Sequence, residues 1–380
     1  MGFTGFTLVM PFLPLFIRQL GVTDVGEIAL WTGLSLGITP ALTALLSPFW
    51  GRLADRFGRR LMAGRSLAAC LLTMAAMSFV TQPWHVLALR GVLGLLTGYG
   101  GLMLTMAAES SPPATVGASI GMVQTAQRLG PTVGPVIGGL IAAVFGLRLA
   151  FLITAGLYGL ALVLLFTLYD ERATHAAPSR AEERGRLSMR DALTLQNFAL
   201  LMAVLFCCHF VERSFGPILP LYIEQLGVRP GRVAFAAGLL FSIVALAGAV
   251  GHHTAGKLLL HHRPRVIIGA GTLGAAAASA LMAGAVNVWM LGSAAAIFGT
   301  SVGVATTATY AAAAAVIPAG AHATGFGVLT SASLTGLAVS PVVAGAIGTT
   351  GMRVVFVVNV TIMAVLALVV RGRMGDNVGP

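Results

Sequence analysis

Long apolar runs separated by short polar interruptions make up most of the chain. Twelve of them approach or exceed the ~20 residues that a helix needs to cross a bilayer core. They cover roughly 2–20, 26–49, 61–80, 84–108, 116–144, 149–169, 197–223, 232–252, 266–286, 288–313, 324–348 and 352–370, numbered here as spans 1 to 12. Ala, Leu, Val and Gly fill these runs all round instead of alternating with polar residues, which predicts helices and not barrel strands. The first run lacks a basic leader and a small-residue cleavage site, and it contains Pro11 and Pro14, so it reads as mature structure and not a signal peptide. The one long polar stretch, Asp170 to Gln196, holds five arginines and five acidic residues and reads as a linker. The expected architecture is an all-α membrane protein of twelve transmembrane helices in two pseudo-symmetric bundles. A six-helix bundle occupies 1–169, a cytoplasmic linker 170–196, and a second six-helix bundle 197–380.

Composition agrees with this pattern. Apolar residues make up 57% of the 380 and charged residues only 9%, against about 25% charged in soluble domains. That excludes a disordered chain, a collagen and an ordinary cytosolic enzyme. The net charge of +11 comes from 22 Arg and one Lys, mostly clustered between spans, so no nucleic-acid partner is expected. With the linker in the cytoplasm, the same side gains Arg52, Arg56, Arg59, Arg60, Arg65, Lys257, Arg263, Arg265, Arg371 and Arg373 besides the five linker arginines. The opposite side keeps only Arg18, Arg148, Arg229, Arg232 and Arg353. This 15-to-5 bias predicts that both termini are cytoplasmic, and the expected location is a bacterial-type inner membrane. Cys70, Cys207 and Cys208 all lie within spans and form neither a disulfide framework nor a zinc site.

The two halves repeat each other. Residues 11–22 read PFLPLFIRQLGV and residues 217–228 read PILPLYIEQLGV, identical at nine of twelve positions at an offset of 206. At an offset of 205, Trp84 matches Trp289, Gly94 matches Gly299, Gly98 matches Gly303 and Pro113 matches Pro318. Gly130 and Gly336, and Pro135 and Pro341, return to 206. Sequence-related halves are how secondary transporters are built, with the substrate site between the halves near the midplane. By this register span 1 is about ten residues shorter than span 7, which predicts an upstream start or a truncated product.

Between spans 2 and 3 stands Gly51-Arg52-Leu53-Ala54-Asp55-Arg56-Phe57-Gly58-Arg59-Arg60. Its glycines permit a tight turn, and Asp55 can meet a helix N-terminus or an arginine. A plain basic anchor is the simpler reading. The pattern resembles the cytoplasmic signature loop of the major facilitator superfamily, and the resemblance implies a gate for alternating access. The second-half copy, Gly256 to Arg265, has Leu260 where Asp55 stands. Span 5 carries Gly121, Gly130, Gly134, Pro135, Gly138 and Gly139. Small residues at this spacing make a smooth packing face, and Pro135 removes a helix hydrogen bond. The spacing resembles the motif of the superfamily's antiporter branch. The Arg90-to-Gly94 segment in span 4 resembles another of its motifs and implies a part in proton coupling or substrate contact. The loop after span 4, from Ser110 to Val116, lacks the arginine usual in the family.

An intramembrane charge costs about 2.5–3.5 kcal/mol and so needs a partner or a wet cavity. Glu212 is the only carboxylate deep in any span and is a candidate proton carrier, with His209 three residues away on the same helix face and Arg213 adjacent. An ion pair of Glu212 with Arg213, Arg90 or Arg128 is the structural alternative. Gln124, Gln127 and Arg128 in span 5 and Tyr99 in span 4 are cavity candidates. Tyr158, Phe3, Phe6, Met103 and Met122 could add apolar contacts, although packing explains each of them as well. Several motif look-alikes fall away. The phosphate-loop mimic at Gly251 to Lys257 has Leu258 in place of Ser or Thr and no preceding strand. The dinucleotide mimic at Gly269, Gly271 and Gly274 lies inside a span, and the strings around Ser35, Ser119 and Ser301 follow from glycine content. His252, His253, His261 and His262 lack acidic or cysteine ligand partners, so no metal is expected.

Together these readings resemble the twelve-span drug:proton antiporters of the superfamily. They imply a monomeric exporter of small amphipathic or hydrophobic molecules. It would use no cofactor beyond the proton gradient, carry no enzyme activity, and have the substrate, protons and the bilayer as its partners. An exporter of a native metabolite or sugar would share the fold. A proton-driven importer fits span 5 less well, and a non-transporting receptor would need an extramembrane domain that is missing.

Overall fold

The computed structural model describes residues 7–97, Met103, Met106, 116–169, 197–318 and 322–374. Each of the twelve expected spans contains a helix, and no strand occurs among the described residues. Seven helices are long and apolar enough to cross a membrane: Val25–Leu46, Leu147–Leu168, Pro230–Leu258, Pro264–Ala283, Val288–Val316, Gly325–Gly348 and Met352–Arg373. Pro83–Leu96 and Leu129–Phe145 are shorter apolar stretches. Arg59–Met77, with arginines at its start, fills span 3.

Local chemistry fixes the ends of these helices. Asp24 caps the span 2 helix by accepting from the Glu27 amide at 2.8 Å, and Asn287 caps span 10 by accepting from Met290 at 2.8 Å. Span 2 extends to Phe57, beyond its expected end, because the chain meets no positive-φ residue until Gly58 (φ 92°). Span 1 begins with a 3-10 turn at Met10–Phe12 and continues as Leu13–Gln19. Span 7 divides into Phe198–Arg213 and Leu219–Gln225, with Gly216 and Pro217 in the break. The repeated segment closes alike in both halves, Gly21 and Gly227 adopting φ of 98° and 85°.

The chain clusters into two compact units, Met1–Arg180 with Arg229–Ser242, and Ala181–Val228 with Ile243–Pro380. The first is centred on Phe12, Phe16 and Phe151, whose ring centroids lie 4.7 and 5.3 Å apart across the span 1–span 6 contact. In the second, Phe215 sits 4.9 Å from Phe298 and 5.6 Å from Phe356. The break in span 7 is held by buried polar bonds. The Ser340 hydroxyl donates to the Phe210 carbonyl, and Asn359 Nδ2 donates to Ser214 Oγ at 2.8 Å.

The repeat is visible at atomic level. Gly94 of span 4 lies against the Thr39 backbone, and its counterpart Gly299 lies against Val244, each pair at the same offset of 205. Arg60 at the start of span 3 donates to the Phe166 carbonyl ending span 6. Its counterpart Arg265 donates to the Arg371 carbonyl ending span 12. The equivalent Trp84 and Trp289 are both exposed, as expected for side chains in a membrane interface.

Candidate functional site

The signature segment is a corner, not an extended loop. Span 2 runs to Phe57, Gly58 makes the turn, and span 3 starts at Arg59. The Gly58 amide donates to the Ala54 carbonyl at 3.0 Å, and its carbonyl accepts from Met62. Only Gly58 therefore separates two helices packed side by side. Gly51 and Asp55 fall within the span 2 helix, and their side-chain surroundings lie outside the described residues. Arg56 lies over the Phe57 ring at 5.3 Å and Arg60 over Phe166 at 5.3 Å. Arg65 stacks on Trp50 at 3.3 Å, while Trp50 Nε1 donates to the Leu95 carbonyl at 2.8 Å. The arginines are thus tied into the helix corner, not held only by solvent. The sequence reading missed Trp50 because a tryptophan at a span end looks like an interface anchor.

Span 5 presents its glycines to neighbouring backbones. A methyl group on Gly138 would overlap the Leu8 carbonyl, and one on Gly139 would overlap that of Ala234. Gly238 reciprocates against the Pro135 carbonyl. Thr7 Oγ1 donates to the Gly130 carbonyl at 2.9 Å. Gly134 and Pro135 are buried, and the helix Val116–Phe145 continues through Pro131 and Pro135. The glycine spacing therefore serves backbone-to-backbone packing, as expected for small-residue faces in membranes. Gly121, Gln124 and Arg128 lie on this helix with side-chain surroundings outside the described residues, and so do Tyr99, Phe3 and Phe6. Gln127 and Met103 are half-buried and Met122 is exposed.

Two polar centres sit inside apolar helices. In the first unit Arg90 is 1% exposed, and among the described residues its Nε and Nη2 meet no acceptor. Tyr158, also 1% exposed, lies within electrostatic reach of it and shares a hydrogen bond with Cys70. Thr39 Oγ1 donates to the Arg90 backbone carbonyl at 2.8 Å, fixing span 4 against span 2. A buried guanidinium carries five donors in a fixed fork that suits an oxygen anion.

In the second unit His209 Nδ1 lies 3.4 Å from Glu212 Oε2, the two side chains 24% and 35% exposed. Arg213 and His252 are within electrostatic reach of Glu212. His252 Nδ1 pairs with Thr307 Oγ1 at 2.8 Å, which brings spans 8 and 10 into the same centre. The sequence pairing of Glu212 with His209 is therefore realised one helical turn apart. In the sequence His252 stands out only as a possible metal ligand. It belongs instead to this carboxylate–histidine group, 40 residues away in sequence. The group thus places a partly exposed carboxylate beside one imidazole and within electrostatic reach of a second, residue types that exchange protons.

The sequence matches the family model of the Major Facilitator Superfamily over residues 1–333 and 201–377. Multidrug resistance protein MdtG of Proteus mirabilis (strain HI4320) is 33% identical over 258 residues, 67% of this chain and 63% of that protein. MdtG of Escherichia coli (strain SMS-3-5 / SECEC) is 36% identical over 258 residues, 67% of this chain and 62% of that protein. The match thus spans less than two thirds of the length of these curated relatives. A bacterial homolog to the human lysosomal transporter Spinster, in an inward-facing and unoccupied conformation, superposes with a TM-score of 0.79 at 16% identity, covering 98% of this chain and 94% of that one. The nucleoside transporter NupG superposes with a TM-score of 0.72 at 15% identity, covering 98% of both chains. These two likenesses establish the shared fold.

Proposed function

The chain belongs to the Major Facilitator Superfamily, and from that premise we propose that it exports small amphipathic or hydrophobic molecules in exchange for protons. The observation that carries this reading is Glu212, a carboxylate in an apolar helix, 3.4 Å from His209 and within reach of His252. A carboxylate there needs a partner or a wet cavity, and such residues mark proton relays in transporters. The relatives named as multidrug resistance proteins support the substrate class, and the resemblance of the span 5 glycine spacing to the antiporter motif supports the antiport direction. In this mechanism substrate replaces a proton while the site faces the cytoplasm, and a proton displaces substrate while it faces out. Arg90 supplies donors to whichever oxygen becomes anionic in the cycle. The corner at Gly58 and the Asp55 carboxylate form the cytoplasmic gate. The protein acts as a monomer in the inner membrane with both termini in the cytoplasm, and it draws on the proton gradient with no further cofactor.

The test uses everted vesicles from a pump-deficient strain, with a fluorescent cationic dye as substrate. The proposal expects uptake that needs an inside-acid gradient, is abolished by Asp55→Asn, and is lost in Glu212→Gln. Undiminished gradient-driven uptake in Glu212→Gln would remove the carboxylate from the mechanism.

A further inference from the structure

The internal symmetry that places Arg60 and Arg265 alike also exposes a difference between the halves. In the first half the furrow between spans 3 and 6 is filled. A methyl group built on Gly64 would meet the Phe166 ring at 2.6 Å and Leu162 Cδ1 at 3.8 Å. At the offset of 205 these three residues become Gly269, Arg371 and Ala367. Gly269 has nothing within 4 Å of the position its Cβ would occupy. The furrow between spans 9 and 12 is therefore open, with a cavity of about 660 Å³.

Its two ends differ in chemistry. Along the groove Val266, Gly269 and Leu273 recur on one face of span 9, opposite Ala367 and Leu368 of span 12. Leu273 and Leu368 are 60% and 71% exposed. At one end stand Arg263, Arg265 and Arg371. Arg263 is the N-cap of the span 9 helix, so the positive end of that helix dipole lies at the same end of the groove. Arg265 is steadied by its bond to the Arg371 carbonyl. Among the described residues that line the groove none is acidic. A cationic mouth leading into an apolar furrow on a membrane helix pair matches an anionic headgroup followed by an acyl chain.

We infer that the furrow between spans 9 and 12 is a binding site for one anionic phospholipid, its phosphate at Arg263, Arg265 and Arg371 and one acyl chain along Gly269 and Ala367. The inference rests on these helices crossing a bilayer and is independent of which substrate is exported. Basic pockets between helices hold anionic lipid in this way, each arginine contributing about a fivefold preference near a charged leaflet.

Native mass spectrometry of the full chain in mild detergent, with phosphatidylglycerol or phosphatidylcholine added, tests it. One phosphatidylglycerol should be retained at least tenfold better than phosphatidylcholine. Arg263→Gln should cut that retention about fivefold. Gly269→Leu, which fills open space while keeping every charge, should abolish it. Filling the furrow should leave phosphate binding by the arginines untouched, so soluble glycerophosphoglycerol competing fully with the lipid would overturn the lipid assignment. Equal retention of the two lipids, or normal retention in Gly269→Leu, would overturn it too. A thermal unfolding midpoint equal to wild type certifies that Gly269→Leu is folded. If the midpoint falls, Ala367→Leu restores the first-half residue at the facing position and carries the same expectation.

Discussion

Replacing Gly94 with alanine tests the packing logic of the fold at one atom. The added methyl group would sit 2.7 Å from the Thr39 carbonyl oxygen, 2.9 Å from Thr39 Cα and 3.0 Å from Leu42 Cβ. Two of these are backbone atoms that cannot rotate away. Reaching ordinary contact at about 3.4 Å requires spans 2 and 4 to part by roughly 0.7 Å. The same contact carries the Thr39 hydroxyl bond to Arg90 at 2.8 Å and the Thr43 hydroxyl bond to Gly94 at 3.2 Å. Overpacking costs about 1–3 kcal/mol, and weakening each hydrogen bond costs up to about 1 kcal/mol. The sum is about 1–5 kcal/mol, enough to lower the midpoint of thermal unfolding in detergent by roughly 2–12 °C. Gly156→Ala is the control, because nothing lies within 4 Å of its would-be Cβ. It should shift the midpoint by less than about 2 °C. The repeat adds a second arm, since Gly299 lies against the Val244 backbone in the same way and Gly299→Ala should be at least as damaging. Wild-type stability in Gly94→Ala, or equal losses in Gly94→Ala and Gly156→Ala, would refute the close-approach argument.

The remaining expectations concern the polar centres. Arg90→Met removes a buried cation whose Nε and Nη2 lack acceptors among the described residues. It should leave thermal stability unchanged or raised by about 1–3 kcal/mol, yet abolish gradient-driven transport. A large loss of stability would make Arg90 a structural residue instead. His252→Ala should leave dye binding within about threefold but slow proton-coupled uptake at least tenfold, read as the pH dependence of transport against equilibrium dye binding. Equal losses in binding and transport would place His252 in the substrate cavity. Arg65→Ala removes the stacking on Trp50 and should cost up to about 2 kcal/mol in thermal unfolding, with Arg65→Lys recovering part of it.

Much of this fold follows from periodicity. The spans agree with the helices because a bilayer demands length and apolarity before anything else. The paired glycines Gly94 and Gly299 were equally readable, since such residues act through local backbone geometry. The histidine at 252 was not. Its role depends on span 8 packing beside spans 7 and 10, and in sequence it stands next to a decayed copy of the signature segment. The open furrow at Gly269 was hidden for a related reason. The offset of 205 shows Phe166 replaced by Arg371, but only packing shows that the phenyl ring had filled the space. The signature segment itself was legible as a motif, although its compression to a single-glycine corner needed the extension of span 2.

The central claim is that substrate and protons move in opposite directions through this protein. Proteoliposomes containing the purified chain and a luminal pH dye, with no imposed pH gradient, test it directly. A substrate gradient alone should then drive protons the opposite way, changing luminal pH at a rate that saturates with substrate and vanishes in Glu212→Gln. Substrate movement with no accompanying pH change would contradict the account.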